Sequence, residues 1–206
     1  MGCYNTFIFD SLPDKELIPL GKVDSFFWEK NGYSRPASSF RFCAVRGEGF
    51  YAFLESDESP VLCRYTQRDE PVYTDSCLEV FIAPVAGRDE YINFEMNPNG
   101  AYLSQFGSER NGRVFLKELT DIEPAVTAGI YPDGRGWHAE LFIPEKLISA
   151  LYGCNFSAGT GELRGNFYKC ADDSPAPHYG AYFPVGSAEL GFHNPTMFGA
   201  IKINER

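Results

Sequence analysis

Apolar and polar residues alternate with a period of two along most of this chain. In the segment Cys77–Ile82, for example, every even-numbered residue is aliphatic and falls on one face of an extended backbone. This pattern predicts β-strands at Tyr4–Phe9, Ser39–Val45, Gly49–Glu55, Cys77–Ile82, Glu90–Met96, Ala101–Gln105, Val126–Tyr131, Trp137–Ile143, Glu162–Cys170, His178–Phe183 and Phe198–Ile203.

Turn signals rich in glycine, proline and asparagine separate the predicted strands, as at 97–100 and 132–134. Many short strands with regular turns favour an all-β fold over a parallel α/β sheet. We therefore expect a two-sheet antiparallel β-sandwich of the immunoglobulin or jelly-roll kind. No linker or repeat divides the chain, so one domain is predicted to span residues 1–206.

One short helix is predicted after the strand that ends at Ile143. Pro144 suits a first helical position, and three aliphatic residues then fall on one face before Gly153 ends the helix. A second helical turn is weakly indicated at Pro60–Tyr65. The helix is expected to cap one end of the sandwich.

Charge and hydropathy narrow the class of partner. The net charge of −10 argues against nucleic acid and against an anionic membrane surface, because both attract a basic face. No run of 18 apolar residues is present that could span a membrane. The aromatic content is high, at 16%. Because aromatic residues favour strands and bury large areas, most rings are expected in the core and a minority at a binding site.

The six cysteines are scattered, and no C-x-x-C pair is present to suggest zinc. Residues 1–10 lack a basic region followed by an apolar stretch. We therefore expect buried free thiols and a cytoplasmic protein, or an extracellular one if a leader has been removed.

Three predicted strands carry polar residues within apolar runs. These residues are Glu79 on one strand, Asn93 and Glu95 on the next, and Asn166 and Tyr168 on a later one. Positions of this kind are commonly the solvent-facing side of a half-exposed sheet. Because three strands share the feature, we interpret them as candidates for one binding site.

Two distant segments place an aromatic ring beside polar groups at the edge of a predicted strand. Tyr73 precedes the strand of Glu79, while Phe192 and His193 precede the last strand. A flat apolar ring with hydrogen-bonding groups around it suits a sugar, which has apolar faces and a polar rim. These segments therefore predict carbohydrate binding.

Several motifs together resemble carbohydrate-binding module family 9 over nearly the whole chain. They are the run 71–81, the run 91–97 with Gly100, the run 164–170, His178-Tyr179, the closing run 192–199, and the earlier Trp28, Gly32-Tyr33 and Pro36. The resemblance implies a DOMON-like β-sandwich that binds sugars without catalysis, often as a module of xylan- or cellulose-degrading enzymes. The implied ligand is a mono- or oligosaccharide of the plant-polysaccharide type.

The resemblance also assigns roles to individual residues. In this family two aromatic rings clamp the sugar, and Tyr73 and Phe192 occupy the matching motif positions in this chain. The buried acid that binds sugar hydroxyls falls on Glu79, and a polar residue on the next strand falls on Asn93. Both clamp rings are Trp in the best-characterised modules, whereas this chain has smaller rings.

Other functions stay open at this stage. Glu79 and Glu95 could form the carboxylate pair of a glycosidase if their strands are neighbours, whereas Asp172 lies in a proline-rich loop and indicates a turn. Some DOMON-type sandwiches bind haem through Met and His, and the chain contains Met96, Met197 and three histidines. A sandwich that serves only as an interaction module is a third alternative.

No catalytic cofactor is expected, but structural calcium stays open because modules of the family often carry it. Asp57, Asp69 and Asp75 lie in predicted loops, although their spacing is not that of a known calcium loop.

Overall fold

A computed structural model describes residues 2–30, 32–186 and 189–206. The strands are β1 Cys3–Phe9, β2 Leu20–Val23, β3 Ser25–Phe26, β4 Ser38–Val45, β5 Gly49–Ser56, β6 Cys77–Ala83, β7 Tyr91–Met96, β8 Tyr102–Gly107, β9 Val114–Phe115, β10 Ala125–Ile130, β11 Trp137–Pro144, β12 Gly161–Cys170, β13 Tyr179–Ala181 and β14 Gly199–Glu205. The α-helices are α1 Leu116–Leu119 and α2 Glu145–Tyr152, and single 3₁₀ turns lie at Lys15–Leu17, Val72–Thr74 and Pro195–Met197. The all-β prediction is thus confirmed.

The predicted helix is confirmed as α2. It begins one residue after Pro144, and Gly153 ends it in the left-handed conformation with φ 60°. Leu147 and Ile148 are buried against the core. The weakly predicted helical turn at 60–65 was wrong, since that segment forms no helix. The short helix α1 was not predicted, because no helix signal was recognised there.

The strands form one continuous hydrogen-bonded sheet, and this corrects the prediction of two antiparallel sheets. Its order is β10-β11-β5-β4-β1-β14-β12-β6-β7-β8-β9, with β2 added to β4, and with β13 added to β12 and β3. β1 pairs in parallel with both β4 and β14, whereas the other pairs are antiparallel. The first and last long strands, β1 and β14, therefore join the two halves of the sheet. Side-chain alternation could not predict this, because a strand shows the same alternation whether its neighbour is parallel or antiparallel.

The two halves curl over a shared inner core. Phe40 of β4 stacks on Phe167 of β12 with ring centroids 3.6 Å apart and planes inclined by 14°. Aliphatic residues of β5, β6, β7 and β11 fill the same core, and α2 covers part of it. The arrangement resembles a sandwich in cross-section, although hydrogen bonds run continuously around one side.

A second core lies on the outer face of the β12-β6-β7 portion. The odd-numbered residues of β6, such as Phe81, pack there with Tyr91 and Tyr168, while the even-numbered residues face the inner core. Loops cover this outer face, so β6 and β7 are buried on both sides apart from Ala83. The polar residues of these strands are therefore buried beneath loops, and they do not face open solvent.

We expect Gly165→Ala to lower the free energy of unfolding by roughly 1–3 kcal/mol. A Cβ atom at Gly165 would lie 2.5 Å from the Phe81 carbonyl oxygen and 3.1 Å from the Ile201 side chain. Gly159→Ala is the control, because nothing lies within 4 Å of its Cβ position. Urea unfolding measures both, and equal stability of the two variants would contradict a close approach at Gly165.

No helix among the described residues is long and apolar enough to cross a membrane.

Candidate functional site

A cleft of about 300 Å³ opens on the outer face of the sheet, above β6, β7 and β8. Residues from these strands form its floor, and residues from the covering loops form its walls and rim. The lining residues are Tyr73, Glu79, Phe81, Glu95, Leu103, Gln105, Arg110, Asn111, Cys170, Asp172, Tyr179, Leu190, Gly191, Phe192 and His193.

Two carboxyl groups lie side by side on the floor. Glu79 of β6 and Glu95 of β7 are directly opposite each other in the antiparallel pair, and both are almost completely buried. Burial, followed by repulsion from Glu95, raises the pKa of Glu79 well above its usual value. Burial raises the pKa of Glu95 to about 7. The floor therefore offers carboxyl groups that either donate or accept hydrogen bonds near neutral pH.

A half-buried arginine supports Glu95 from behind. The Asn93 amide donates a hydrogen bond to the Glu95 carboxylate at 2.9 Å, and the Asn93 oxygen accepts hydrogen bonds from the Arg113 guanidinium at 2.7 and 3.0 Å. Arg113 also lies 3.8 Å from the centroid of the Tyr91 ring. Burial lowers the pKa of Arg113 to about 10, so the guanidinium stays charged at neutral pH.

Tyr73 presents the exposed ring of the cleft. It lies in the 3₁₀ turn Val72–Thr74, and its side chain is 40% exposed. The Tyr73 carbonyl oxygen accepts a hydrogen bond from the Asp172 backbone N–H at 3.4 Å, which joins two walls of the cleft.

Asp75 fixes the end of the Tyr73 turn. Its buried carboxylate accepts hydrogen bonds from the Arg64 and Tyr65 backbone N–H groups, the Arg64 guanidinium and the Asn97 amide. This saturated carboxylate holds the turn rigidly, so little conformational entropy remains to be lost when a ligand contacts the ring.

Phe192 contributes a largely covered ring. It is 6% exposed, and it stacks on Tyr168 at 4.2 Å with planes inclined by 12°. Trp28 packs beside it with centroids 5.8 Å apart. The two predicted clamp rings therefore line the same cleft, but Tyr73 offers far more free ring surface than Phe192.

His193 lies above Phe81, with ring centroids 4.8 Å apart. Its Nδ1 atom is 2.7 Å from the Tyr91 hydroxyl oxygen. Burial, with a smaller contribution from Arg113, lowers the pKa of His193 to about 3. The imidazole is therefore neutral, and its 3.8 Å approach to the Glu95 carboxylate is not an ion pair.

The structure brings five of the eight predicted site residues into the cleft lining: Tyr73, Glu79, Glu95, Phe192 and His193. It places Asn93, Asn166 and Tyr168 elsewhere. Asn93 lies behind Glu95, and Tyr168 lies beneath Phe192. Asn166 exchanges hydrogen bonds with the Phe183 backbone at 2.9 Å, so it fixes a loop.

Several polar lining residues were missed because they belong to loops without a recognised motif. Arg110 donates a hydrogen bond to the Leu190 carbonyl oxygen at 2.8 Å, which holds the rim together. Asp172 was interpreted as part of a turn, yet it lines the cleft, and burial raises its pKa to about 6. Gln105 also lines the cleft and was missed, although it lies on β8 and not in a loop. The alternation of that strand could have identified it.

Two of the three loop aspartates are engaged by neighbouring groups, and the third lies in a different part of the surface. Asp75 is saturated by the donors described above, and Asp69 lies 2.8 Å from the Lys117 ammonium. Asp57 lines a different hollow, near Tyr131. Oxygen atoms engaged by cations and N–H groups are unsuited to hold Ca²⁺. Structural calcium stays a prediction.

Met96 is unsuited to hold a haem together with His193. Met96 faces the inner core, whereas His193 packs on the outer face of the same sheet. The two side chains are therefore separated by β7.

A curled β-sheet with an aromatic-walled, polar-floored cleft defines a β-sheet ligand-binding domain suited to sugars. The chain belongs to carbohydrate-binding family 9, because the model of that family matches residues 8–203. Modules of this family bind carbohydrates without catalysing a reaction. No curated protein matches the chain.

Solved structures share the fold. A candidate carbohydrate-binding protein from Bacteroides uniformis is 24% identical, with a TM-score of 0.80 over 98% of this chain and 99% of its own. A family 9 module from Caldicellulosiruptor kristjanssonii in complex with glucose is 14% identical, with a TM-score of 0.68 over 100% of this chain and 97% of its own. The same kind of module in complex with cellotriose is 14% identical, with a TM-score of 0.67, and 100% of this chain and 95% of that chain are covered.

Proposed function

We propose that the cleft binds a mono- or oligosaccharide of the plant-polysaccharide type, such as a cellulose or xylan fragment, without catalysis. The observation that carries the proposal is the meeting of the exposed Tyr73 ring with buried carboxyl groups in one cleft. The ring offers an apolar face for a pyranose, and Glu79 and Glu95 offer hydrogen-bond partners for its hydroxyl groups. The glucose and cellotriose held by the relatives of similar fold support a glucose-based ligand.

The energetics of this cleft favour weak, reversible binding. Covering about 100 Å² of ring and sugar surface contributes about 2.5 kcal/mol. A few hydrogen bonds add about 1 kcal/mol each, and the entropy of association opposes both contributions. The favourable terms total about 5–6 kcal/mol before this cost, less than the roughly 8 kcal/mol of a micromolar complex, so we expect a dissociation constant weaker than micromolar, as suits a domain that directs other activities to a polysaccharide.

The paired carboxyl groups also raise the question of glycoside hydrolysis. A glycosidase places its two carboxyl groups on either side of the scissile bond. Here Glu79 and Glu95 are adjacent cross-strand neighbours on one floor, with Asn93 and Arg113 engaged behind Glu95. This placement favours binding over catalysis. Release of reducing sugar from cello- or xylo-oligosaccharides by the pure protein would contradict the proposal.

We expect Tyr73→Ala to weaken sugar binding at least about tenfold, because the loss of about 2 kcal/mol of stacking exceeds the 1.4 kcal/mol that corresponds to a factor of ten. The exposed ring contributes little to the core, so the variant should keep the thermal stability of the wild type. Isothermal titration calorimetry with glucose, cellotriose and xylotriose measures the affinity.

Tyr131→Ala is the matched control for this experiment. Tyr131 lies outside the cleft, lines a different hollow and donates a hydrogen bond to Glu55 at 2.9 Å. Its replacement should leave sugar affinity unchanged. Unchanged affinity in Tyr73→Ala would refute the role of the cleft, and lost affinity in Tyr131→Ala would move the site to the other hollow.

A further inference from the structure

Three side chains with metal-ligating atoms meet at the floor of the cleft and directly beneath it. Cys77, Glu79 and Cys170 bring two sulfur atoms and a carboxylate oxygen within 4.8 Å of one another. Cys77 and Glu79 share one face of β6, and Cys170 of β12 is the direct cross-strand partner of Cys77. Two paired strands therefore fix the cluster, which is more rigid than one built on loops.

We propose that Cys77, Glu79 and Cys170 form a binding site for a thiophilic divalent cation of the zinc class. Zinc lies about 2.3 Å from sulfur and about 2.0 Å from oxygen, so its tetrahedral ligand atoms are about 3.5 to 3.8 Å apart. The Cys170 sulfur is now 3.0 Å from the Glu79 carboxylate oxygen. To hold one ion, this pair must separate by roughly half an ångström, and any pair now as far apart as 4.8 Å must approach by about 1 Å, which side-chain rotations can provide.

The cluster has an entry path and an open coordination position. Glu79 and Cys170 line the cleft, whereas Cys77 lies fully buried beneath them. An ion held by the three residues has a fourth position directed at the cleft, where water or a ligand oxygen would complete the tetrahedron. Three protein ligands with one exchangeable position are typical of a zinc site that contacts a substrate or ligand.

The donor set selects the kind of metal. Two cysteine sulfurs favour zinc, cadmium or cobalt over calcium and magnesium, which prefer oxygen. This site is therefore distinct in chemistry from the structural calcium expected of the family.

Binding of the cation must displace protons. Burial raises the pKa of Cys77 to about 12 and that of Cys170 well above its usual value, so both thiols are protonated in the absence of metal. Zn²⁺ binding releases these protons, and any proton on Glu79, to solvent as the Zn–S and Zn–O bonds form. The apparent affinity for the metal is therefore expected to rise with pH.

Titration of the reduced, metal-free protein with Co²⁺ tests the proposal. The expected result is one equivalent of Co²⁺ with a thiolate-to-cobalt charge-transfer band, which Zn²⁺ then displaces. Cys77→Ser and Cys170→Ser should each lose the band and bind Zn²⁺ at least about tenfold more weakly in competition with a chromophoric chelator. Glu79→Gln keeps both sulfurs and is expected to shift the band and weaken binding.

The controls are Cys3→Ser and Cys154→Ser, which change exposed cysteines outside the cluster and should bind the cation as the wild type does. Near-ultraviolet circular dichroism identifies any variant that does not fold, in which case Glu79→Gln decides the result. Absence of the band in the reduced wild type, or its persistence in both cluster variants, would overturn the proposal. The titration contains no sugar, so its failure is separate from failure of carbohydrate binding.

Discussion

Lys169→Met is expected to lower the free energy of unfolding by about 3–5 kcal/mol, the range for breaking a buried ion pair. Lys169 is completely buried, and its Nζ atom lies 2.8 Å from the carboxylate of Glu58, which is also buried. The ammonium donates a hydrogen bond to the Cys170 carbonyl oxygen at 2.7 Å as well. Methionine has nearly the same length but leaves the Glu58 charge without its partner.

The surroundings of Glu58 explain why Lys169→Met is expected to lower the free energy of unfolding so much. The Glu58 carboxylate also accepts a hydrogen bond from the Trp137 indole N–H at 3.2 Å, and the His178 imidazole lies 3.8 Å away. Burial, followed by repulsion from the Lys169 ammonium, lowers the pKa of His178 to about 4, so in the wild type this ring is neutral near pH 7 and Lys169 supplies the positive charge beside Glu58. A carboxylate in this position must then be protonated or hydrated, and both cost stability.

Urea unfolding followed by circular dichroism measures this effect. Lys202→Met is the control, because Lys202 is an exposed lysine of β14 whose ion pair with Glu162 is 3.9 Å long, and its loss should cost less than about 1 kcal/mol. The double variant Lys169→Met with Glu58→Gln should recover much of the stability, since no unpaired charge remains. A loss in Lys169→Met no larger than that in Lys202→Met would show that the buried pair is unimportant.

Glu95 is expected to make the protein less stable as the pH rises from about 4.5 to 7. Its pKa is about 7 in the folded protein and near the ordinary value of 4.5 in the unfolded chain. Between these values the folded state holds a proton that the unfolded chain has released, so the free energy of unfolding falls with pH. The whole shift corresponds to about 3 kcal/mol, present below about pH 4.5 and lost above about pH 7.

Comparison with Glu95→Gln tests the titration of the Glu79–Glu95 pair, because repulsion from Glu95 also raises the pKa of Glu79. Glutamine cannot ionise, and its oxygen can still accept the hydrogen bond from Asn93, so the variant should show a flatter dependence of stability on pH. Glu162→Gln changes an exposed carboxylate and should keep the wild-type slope. Denaturant unfolding at several pH values measures the slopes, and identical slopes in the wild type and Glu95→Gln would disprove the assignment.

Much of the fold follows from local patterns in the sequence. Alternation located the long strands and separated the two faces of β6 and β12, because side-chain direction in a strand depends only on residue parity. The helix α2 was predictable for a similar reason, since Pro144, the aliphatic face and Gly153 act within a few residues. The outer strand faces also identified Glu79 and Glu95 as candidate site residues.

Other properties depend on contacts between distant segments. The parallel pairing of β1 with β4 and β14, which makes one sheet out of two expected ones, leaves no mark on alternation. The register of β12 against β6 joins Cys170 to Cys77 and Glu79, although 91 residues separate Cys170 from Glu79 along the chain.

The roles of the site residues also depend partly on local sequence and partly on tertiary contacts. The sequence determined that rings and carboxyl groups would lie near the ends and faces of particular strands. Only the tertiary structure decided that Tyr73 stays exposed, that Tyr168 and Trp28 cover Phe192, and that Arg113 supports Glu95 from behind. The physical reason is that strand identity depends on neighbouring residues, whereas burial, pKa and pairing depend on which distant segments the fold packs together.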